Sequence, residues 1–573
     1  MKKIILIFVL SGIFIFQNGF PNPKIPNWNI TFTYTGRTTT YDLASNGSPN
    51  WIANSFAYPN VYHLVFNRST TINYNDLKIE YMGSDNGNLW SVLDWIDSAS
   101  YPCLSVDPIG SAVISTTLRK NQNLLSSFAL FIDAYPLVGS FIVLNPQSDK
   151  YIYSKNCAVN YSNSYTSYPV VILAQKINTD SLFMTISLSS VQNQFTPWRY
   201  IAKTPPEGYC IAVGNDNRVG IAYIKNSSDL SENKSVYFSE TTNGGDNWSE
   251  PVKVFMPRYS GSDGDSLAAY RGISMVYKNN MPCLTFETAK MNPTTGEYMK
   301  KIPGKIMFWI PSMSHNDQSR CISIASEENV PVPTPDLIRT GVNDDFAVLS
   351  RPVISSVQNG PFIYIVYQVL TSDWGGVPPD TVNYKALYIS ELHYWNENEL
   401  YIQTPYKLTP DNPLLDWSYP SILPVSNISN NYINTKVLAL CDSIPGTNVN
   451  ASINRGSKAK IYVLNISEMN WTNIKNENET ASEYSLSQNY PNPFNPKTVI
   501  KFSVPSRNSN KTGMTMIKVY DLKGREVQTL VNDYLQSGTY SITFNGSAFS
   551  SGIYFYKMQS GDFIDTKKMV LLK

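Results

Sequence analysis

Two arginines, Arg271 and Arg351, stand at the head of apolar β runs beside Tyr270 and Pro352, where an inner strand could aim a guanidinium at an anionic substrate. A guanidinium grips a carboxylate through paired charge-assisted hydrogen bonds, and a nearby acid with a tyrosine would complete a set for glycoside hydrolysis. The acids to hand, Asp97 and Asp107, also read as turn residues, and either arginine could equally be an ion-pair residue of the fold. With 38 tyrosines no single nucleophile can be chosen, so the catalytic residues are unknown and Arg271 and Arg351 are the candidates.

Other chemistries have less material. His63, His315 and His393 are isolated, which leaves little for a histidine metal site or a Ser-His-Asp set, and no metal and no cofactor is expected. Asp263 and Asp265, within Ser260 to Ser266, could face Ca²⁺, but no bidentate Glu follows and the segment reads as an insertion. Trp374, in a loop with Gly375 and Gly376, and the pair Tyr394 and Trp395 are aromatics that could stack on sugars. Net charge is +1 with no basic run, which argues against nucleic acid or an anionic membrane as partner. Cys103, Cys157, Cys210, Cys283, Cys321 and Cys441 lack C-x-x-C spacing, and export would permit disulfides whose pairing is open.

The elements that must position these residues are strands. Val, Ile, Phe, Thr and Tyr runs broken by Asn-rich turns make the chain all-β. A loose repeat, Tyr58-Pro59, Tyr101-Pro102, Tyr168-Pro169, Gly208-Tyr209, Tyr270-Arg271, Arg351-Pro352 and Tyr419-Pro420, marks heads of units of several strands. Its variable spacing suits a six- or seven-bladed β-propeller with loop insertions. Two segments sharpen this reading. Thr241, Asn243, Gly245 and Trp248 follow a strand, and Asp85, Gly87 and Trp90 form a second copy in which Gly83 takes the leading position. This spacing resembles the Asp-box, or BNR repeat, of sialidase-like propellers, where the acid or amide caps a turn, Gly takes positive φ and Trp packs it down. The resemblance implies a structural role for these residues. The family's Phe/Tyr-Arg-Ile-Pro motif and a third arginine at a blade start are missing, so the resemblance gives weak support to sialidase chemistry.

The two ends of the chain give an address. Asn489-Tyr490-Pro491-Asn492-Pro493-Phe494-Asn495-Pro496 opens a small β region, followed by a turn at Tyr520, Asp521, Gly524 and Arg525, a strand with Gly552 and Tyr554, and the end Lys567 to Lys573. These motifs, in this order, resemble the type A C-terminal sorting domain of the type IX secretion system, an immunoglobulin-like β-sandwich. The resemblance implies as partners the type IX machinery and a sortase-like protease that removes the domain as the cargo is released or attached to surface lipopolysaccharide. Lys2 and Lys3 ahead of the apolar run Ile4 to Phe16 read as a Sec signal peptide cut near Gly19, and no later stretch is apolar enough to span a bilayer. The expected organisation is a signal over 1–19, a sialidase-like propeller over 27–470, a polar linker over 471–483 and the sorting domain over 484–573. The functional expectation is a secreted or cell-surface propeller that binds an extracellular glycan or protein. The alternatives are an exo-acting glycosidase of sialidase type and a structural or adhesive surface protein.

Overall fold

The computed structural model describes residues 28–572 apart from loop segments, the longest being 41–46, 160–167, 258–265, 314–320, 340–346, 446–457, 470–474, 477–482 and 506–512. The signal region, His315, Asp263 and Asp265 lie outside the described residues. The chain divides into two compact units, Met1–Asn427 with Asn434–Glu468, and Ile428–Ile433 with Met469–Lys573.

Consecutive antiparallel strands build the larger unit. Five four-stranded sheets follow one another: Ile52–Asn54 to Ser91–Asp97, Ala99–Val106 to Phe141–Leu144, Tyr151–Ala158 to Arg199–Lys203, Tyr209–Val213 to Val252–Phe255, and Leu267–Lys278 to Ile322–Ala325. A ten-stranded sheet completes the unit and has two arms. One arm runs from Leu349–Val357 through Phe362–Gly375 and Val382–Asn396 to Glu399–Ile402 and Tyr406–Lys407. The other joins Asp416–Ile422, Tyr432–Asp442, Ala459–Met469 and, outermost, Asn29–Thr39. A short parallel pairing of Ser356 with Val425 links them.

The first strand of each sheet packs on the sheet before it, and the series returns to its start where Asp416–Ile422 meets Ile52–Asn54. There the Trp51 N–H donates to Ser421 Oγ at 2.8 Å and the Trp51 ring stacks on Tyr419 with centroids 6.3 Å apart. Strands sandwiched this way are buried on both faces, as all of Leu349–Val357 is, which explains their continuous apolar and small-residue sequence. The arrangement is all-β and propeller-like.

A bulge recurs in five of the inner strands, with register shifts at Ser100/Cys103, Ile152/Lys155, Ala269/Ile273, Ser350/Val353 and Ser418/Ser421. At four of these bulges a large side chain is held at positive φ: Tyr101 (56°), Tyr153 (55°), Arg351 (52°) and Tyr419 (55°). Proline follows three of them, since a residue with no N–H fits where the ladder is interrupted. Two repeat positions expected from sequence fall elsewhere. Tyr58 is in an exposed loop after Ile52–Asn54, and Tyr168 precedes the second strand of its sheet, whose first strand carries Tyr153 instead. The Tyr-Ser pair at 153 and 154 lacks the proline that marked the others.

The smaller unit has two four-stranded antiparallel sheets around one core. Lys497–Val504 alternates exposed and buried residues, so Ile500 and Phe502 face inward to meet Ile517, Val519, Tyr556 and Met558 of the other sheet. Lys475 and Asn476, expected as unstructured linker, pair with Ser541 and Tyr540 as an edge strand, so backbone bonding orders a pair that has no apolar residue to bury.

Candidate functional site

The centre of the ring is occupied by the chain itself. Gly47, Ser48 and Pro49 are buried. Ser48 Oγ donates to Pro352 O at 2.6 Å, Lys155 Nζ donates to Ser48 O at 3.3 Å, and Arg351 donates to Gly47 O at 2.9 Å. A Cβ on Gly47 would lie 2.6 Å from Glu207 O, so only glycine fits. Partners from the third sheet, the approach to the fourth, and the arm beginning at Leu349 can all reach one tripeptide only if it crosses the middle.

Arg351 is 5% exposed, and its guanidinium also lies 4.6 Å from the centroid of the Tyr419 ring. The buried carboxylate of Glu287 accepts from the backbone N–H groups of both Arg271, at 3.2 Å, and Arg351. The two expected arginines are thus brought together through their backbones. Their side chains differ in surroundings: Arg271 lies over the Tyr270 ring at 5.0 Å. Lys155 and Glu207 form a buried ion pair at 3.7 Å beside the tripeptide. Sequence reading missed Glu287, Lys155, Glu207 and Gly47. The available signal was a charge inside an otherwise apolar strand, as at Glu287 after Leu284, Thr285 and Phe286.

The turn from Ser235–Thr241 to Val252–Phe255 joins the third and fourth strands of its sheet. Thr241 Oγ1 accepts from Gly245 N at 3.2 Å and Asn243 Oδ1 accepts from Asn247 N at 3.0 Å. Gly245 has φ +116°, and the Trp248 indole donates to its carbonyl at 2.8 Å. The equivalent turn after Lys78–Ser84 uses Ser84, whose Oγ accepts from Gly87 N at 2.8 Å, and Asn86, whose Oδ1 accepts from Asn88 N and Leu89 N at 2.8 and 3.0 Å. Asp85 is exposed there, so the bonding frame is Ser84 and Asn86 in place of Gly83 and Asp85. Trp90 is half-buried against the first sheet's core.

The other nominated residues are distributed through the fold. Asp97 is exposed at a strand end. Asp107 caps a turn, accepting from Ser111 N at 2.7 Å and from the Tyr168 hydroxyl at 2.7 Å, and burial raises its pKa. His63 is fully buried, with Nδ1 2.8 Å from Tyr81 Oη and Nε2 2.9 Å from Gly110 O, and burial lowers its pKa to about 4. His393 pairs with Glu391 at 2.5 Å. Trp374 is half exposed and has Arg339 5.8 Å over its ring. Tyr394 is partly buried beside Phe362–Gly375, and Trp395 is on the same strand. All six cysteines are free thiols. Among the described residues no cluster of three or more His, Cys, Asp or Glu could hold a metal.

In the smaller unit the motif residues do two jobs. Asn489, buried, donates to Pro491 O at 3.1 Å and to Thr498 Oγ1 at 2.9 Å, and Asn492 Oδ1 accepts from Val570 N at 2.9 Å. Phe494 is buried, and its backbone bonds Val570 O and Leu572 N, each at 2.9 Å. Tyr490, Pro491, Pro493 and Asn495 are exposed, and Pro496 is half-buried. Asp521 Oδ1 accepts from Lys523 N and Arg525 N, its Oδ2 pairs with the Arg525 side chain, and Gly524 takes φ +74°. Tyr520 ends the preceding strand, Gly552 begins a later one, and Tyr554 donates to Ser550 O at 2.8 Å.

A family model described as the secretion system C-terminal sorting domain matches residues 488–572. The C-terminal unit carries a type IX secretion sorting domain. The protein is therefore a secreted cargo of that system, addressed to the cell surface or beyond. No curated protein matches the chain. Among solved structures, a chain of the S. cerevisiae core factor aligns at 8% identity and TM-score 0.39 over 79% of this chain and 62% of its own length. Prolyl oligopeptidase B from Galerina marginata aligns at 8% identity and TM-score 0.33 over 68% of this chain and 46% of its own. This chain thus spans less than two thirds of either. Among the described residues no helix is long and apolar enough to cross a membrane.

Proposed function

We propose that the exported cargo is a seven-bladed, sialidase-like β-propeller that binds an extracellular glycan or protein and performs no glycosidic chemistry. Five blades are the four-stranded sheets, and the two arms of the ten-stranded sheet are the sixth and seventh, the last closed by Asn29–Thr39. The turns at Thr241 to Trp248 and Ser84 to Trp90 are its Asp-box hairpins, and the sorting unit is an immunoglobulin-like sandwich. A Sec signal over residues 1–19 begins the route, and a sortase-like protease removes the sorting domain at its end.

The observation that carries the binding reading is the fate of Arg351. A glycosidase acting on sialic acid needs free guanidinium groups facing an open axial depression. Here the axial guanidinium is buried against Gly47 O and Tyr419, and Gly47 to Pro49 lie across the centre. Recognition then falls to the loops and clefts of a rigid scaffold. The test is release of fluorophore from a fluorogenic sialoside by the full secreted protein. No turnover is expected above that of buffer. Turnover that disappears in both Arg271→Ala and Arg351→Ala, with melting temperatures retained, would establish the glycosidase.

A further inference from the structure

A cleft of about 250 Å³ opens between the arm that begins at Leu349 and the strand Asp416–Ile422. We infer that it is a binding subsite for a neutral saccharide, which rests on the binding reading above and gives it a ligand class. At about 250 Å³ it is slightly below the range usual for drug-sized ligands, about 300–1,000 Å³, and it suits one sugar ring or a chain end.

Trp417 is among its lining residues. Trp417 is 4% exposed, packed against Phe32 and Tyr462 with ring centroids 5.5 and 5.3 Å away. The indole N–H meets no acceptor among the described residues. Around it the lining supplies groups that bond hydroxyls in both directions: Thr371 and Thr409 hydroxyls, the Asn412 amide, and the carboxylate of exposed Asp373.

Charge decides which sugars fit. The two cations of the lining are already matched: Lys385 pairs with Asp416 at 2.8 Å in the interior, and Lys407 pairs with Asp411 at 2.6 Å at the lip. Asp373 adds a further negative charge. An anionic ligand therefore gains no unmatched cation here and meets a carboxylate, whereas the hydroxyls of a neutral sugar can donate to it. Trp374, the aromatic that sequence reading chose for sugar stacking, pairs directly across the hairpin from Asn383, one residue before the lining residue Tyr384. Trp374 itself is not among the lining residues.

The test uses the full secreted protein with lactose, cellobiose, diacetylchitobiose and sialyllactose, read by saturation-transfer NMR and calorimetry. Surface capture on fibronectin, fibrinogen and collagen runs in parallel. At least one neutral disaccharide should bind, and its affinity should fall about tenfold in Asp373→Asn and in Asn412→Asp, both at exposed positions, the second keeping the oxygen that accepts from Leu414 N. Neutral sugar binding that neither variant alters would overturn the cleft and leave the binding reading standing. Sialyllactose binding as tightly as lactose would overturn the neutral class. Capture of a protein with no sugar bound would overturn this inference alone, and failure of every probe would overturn both readings.

Discussion

His63 has both ring nitrogens engaged: as the neutral imidazole it donates from Nε2 to Gly110 O and accepts at Nδ1 from the Tyr81 hydroxyl, whose oxygen also lies 2.9 Å from Asp133 Oδ2. Burial is the main cause of its low pKa, about 4, with the Gly110 bond opposing it. The folded state therefore holds a neutral imidazole where the unfolded chain would protonate near pH 6.5. The unfolded state binds the extra proton as pH falls, so the stability this site contributes is intact above about pH 6.5 and is lost progressively toward pH 4. The shift corresponds to about 3 kcal/mol. Urea unfolding from pH 7 to 4 should show this loss in the parent protein and a shallower slope in His63→Gln, which cannot take the proton. Parallel slopes would mean that His63 is not the group responsible. The free cysteines follow the same physics in the other direction: burial raises the thiols of Cys210, Cys283 and Cys441 to about 12, so they are poor nucleophiles while the protein is folded.

The hairpin at Thr241 to Trp248 is a stabilising element, and its two key residues act by separate means. Trp248→Ala removes a ring packed between the third and fourth sheets and the bond to Gly245 O, with an expected loss of about 2–3 kcal/mol. Gly245→Val forces a β-branched residue to φ +116° and brings its Cβ to 2.5 Å from Ile186 Cδ1, with an expected loss of about 1–3 kcal/mol. Thermal melts check both, and unchanged midpoints would make the segment an ordinary loop. The Trp248 turn was legible because capping, positive φ and packing all lie within eight consecutive residues. The turn at Ser84 to Trp90 was read one residue out of frame, since spacing from the tryptophan pointed to Asp85 while the hydroxyl cap is Ser84. The proline-marked bulges at Tyr101, Arg351 and Tyr419 were visible, whereas Tyr153 carries the same geometry with serine after it. The ring centre was not legible at all: Gly47 meets Glu207 and Arg351 only because strands remote in sequence bring them there, and no local periodicity encodes that.

At the scale of the whole molecule, address and cargo are separate packed units, each with its own core. Deleting residues 484–573 should abolish delivery to the surface while the larger unit accumulates inside the envelope, followed by fractionation and immunoblotting. Normal surface delivery of the deletion would defeat the sorting assignment. The larger unit is closed by its first strand: Asn29–Thr39 pairs along Ala459–Met469, and Thr35 Oγ1 donates to Ile461 O at 3.0 Å across 426 residues of chain. A contact of such sequence separation forms late, because so much chain must be ordered before the two ends meet. The strand Asn29–Thr39 thus waits for a partner that is made 426 residues later, at Ile461. Throughout that interval both sheet margins are bare, and the newborn chain is most exposed to strand exchange with its siblings, so its safe passage depends on being kept apart from them until the ring shuts.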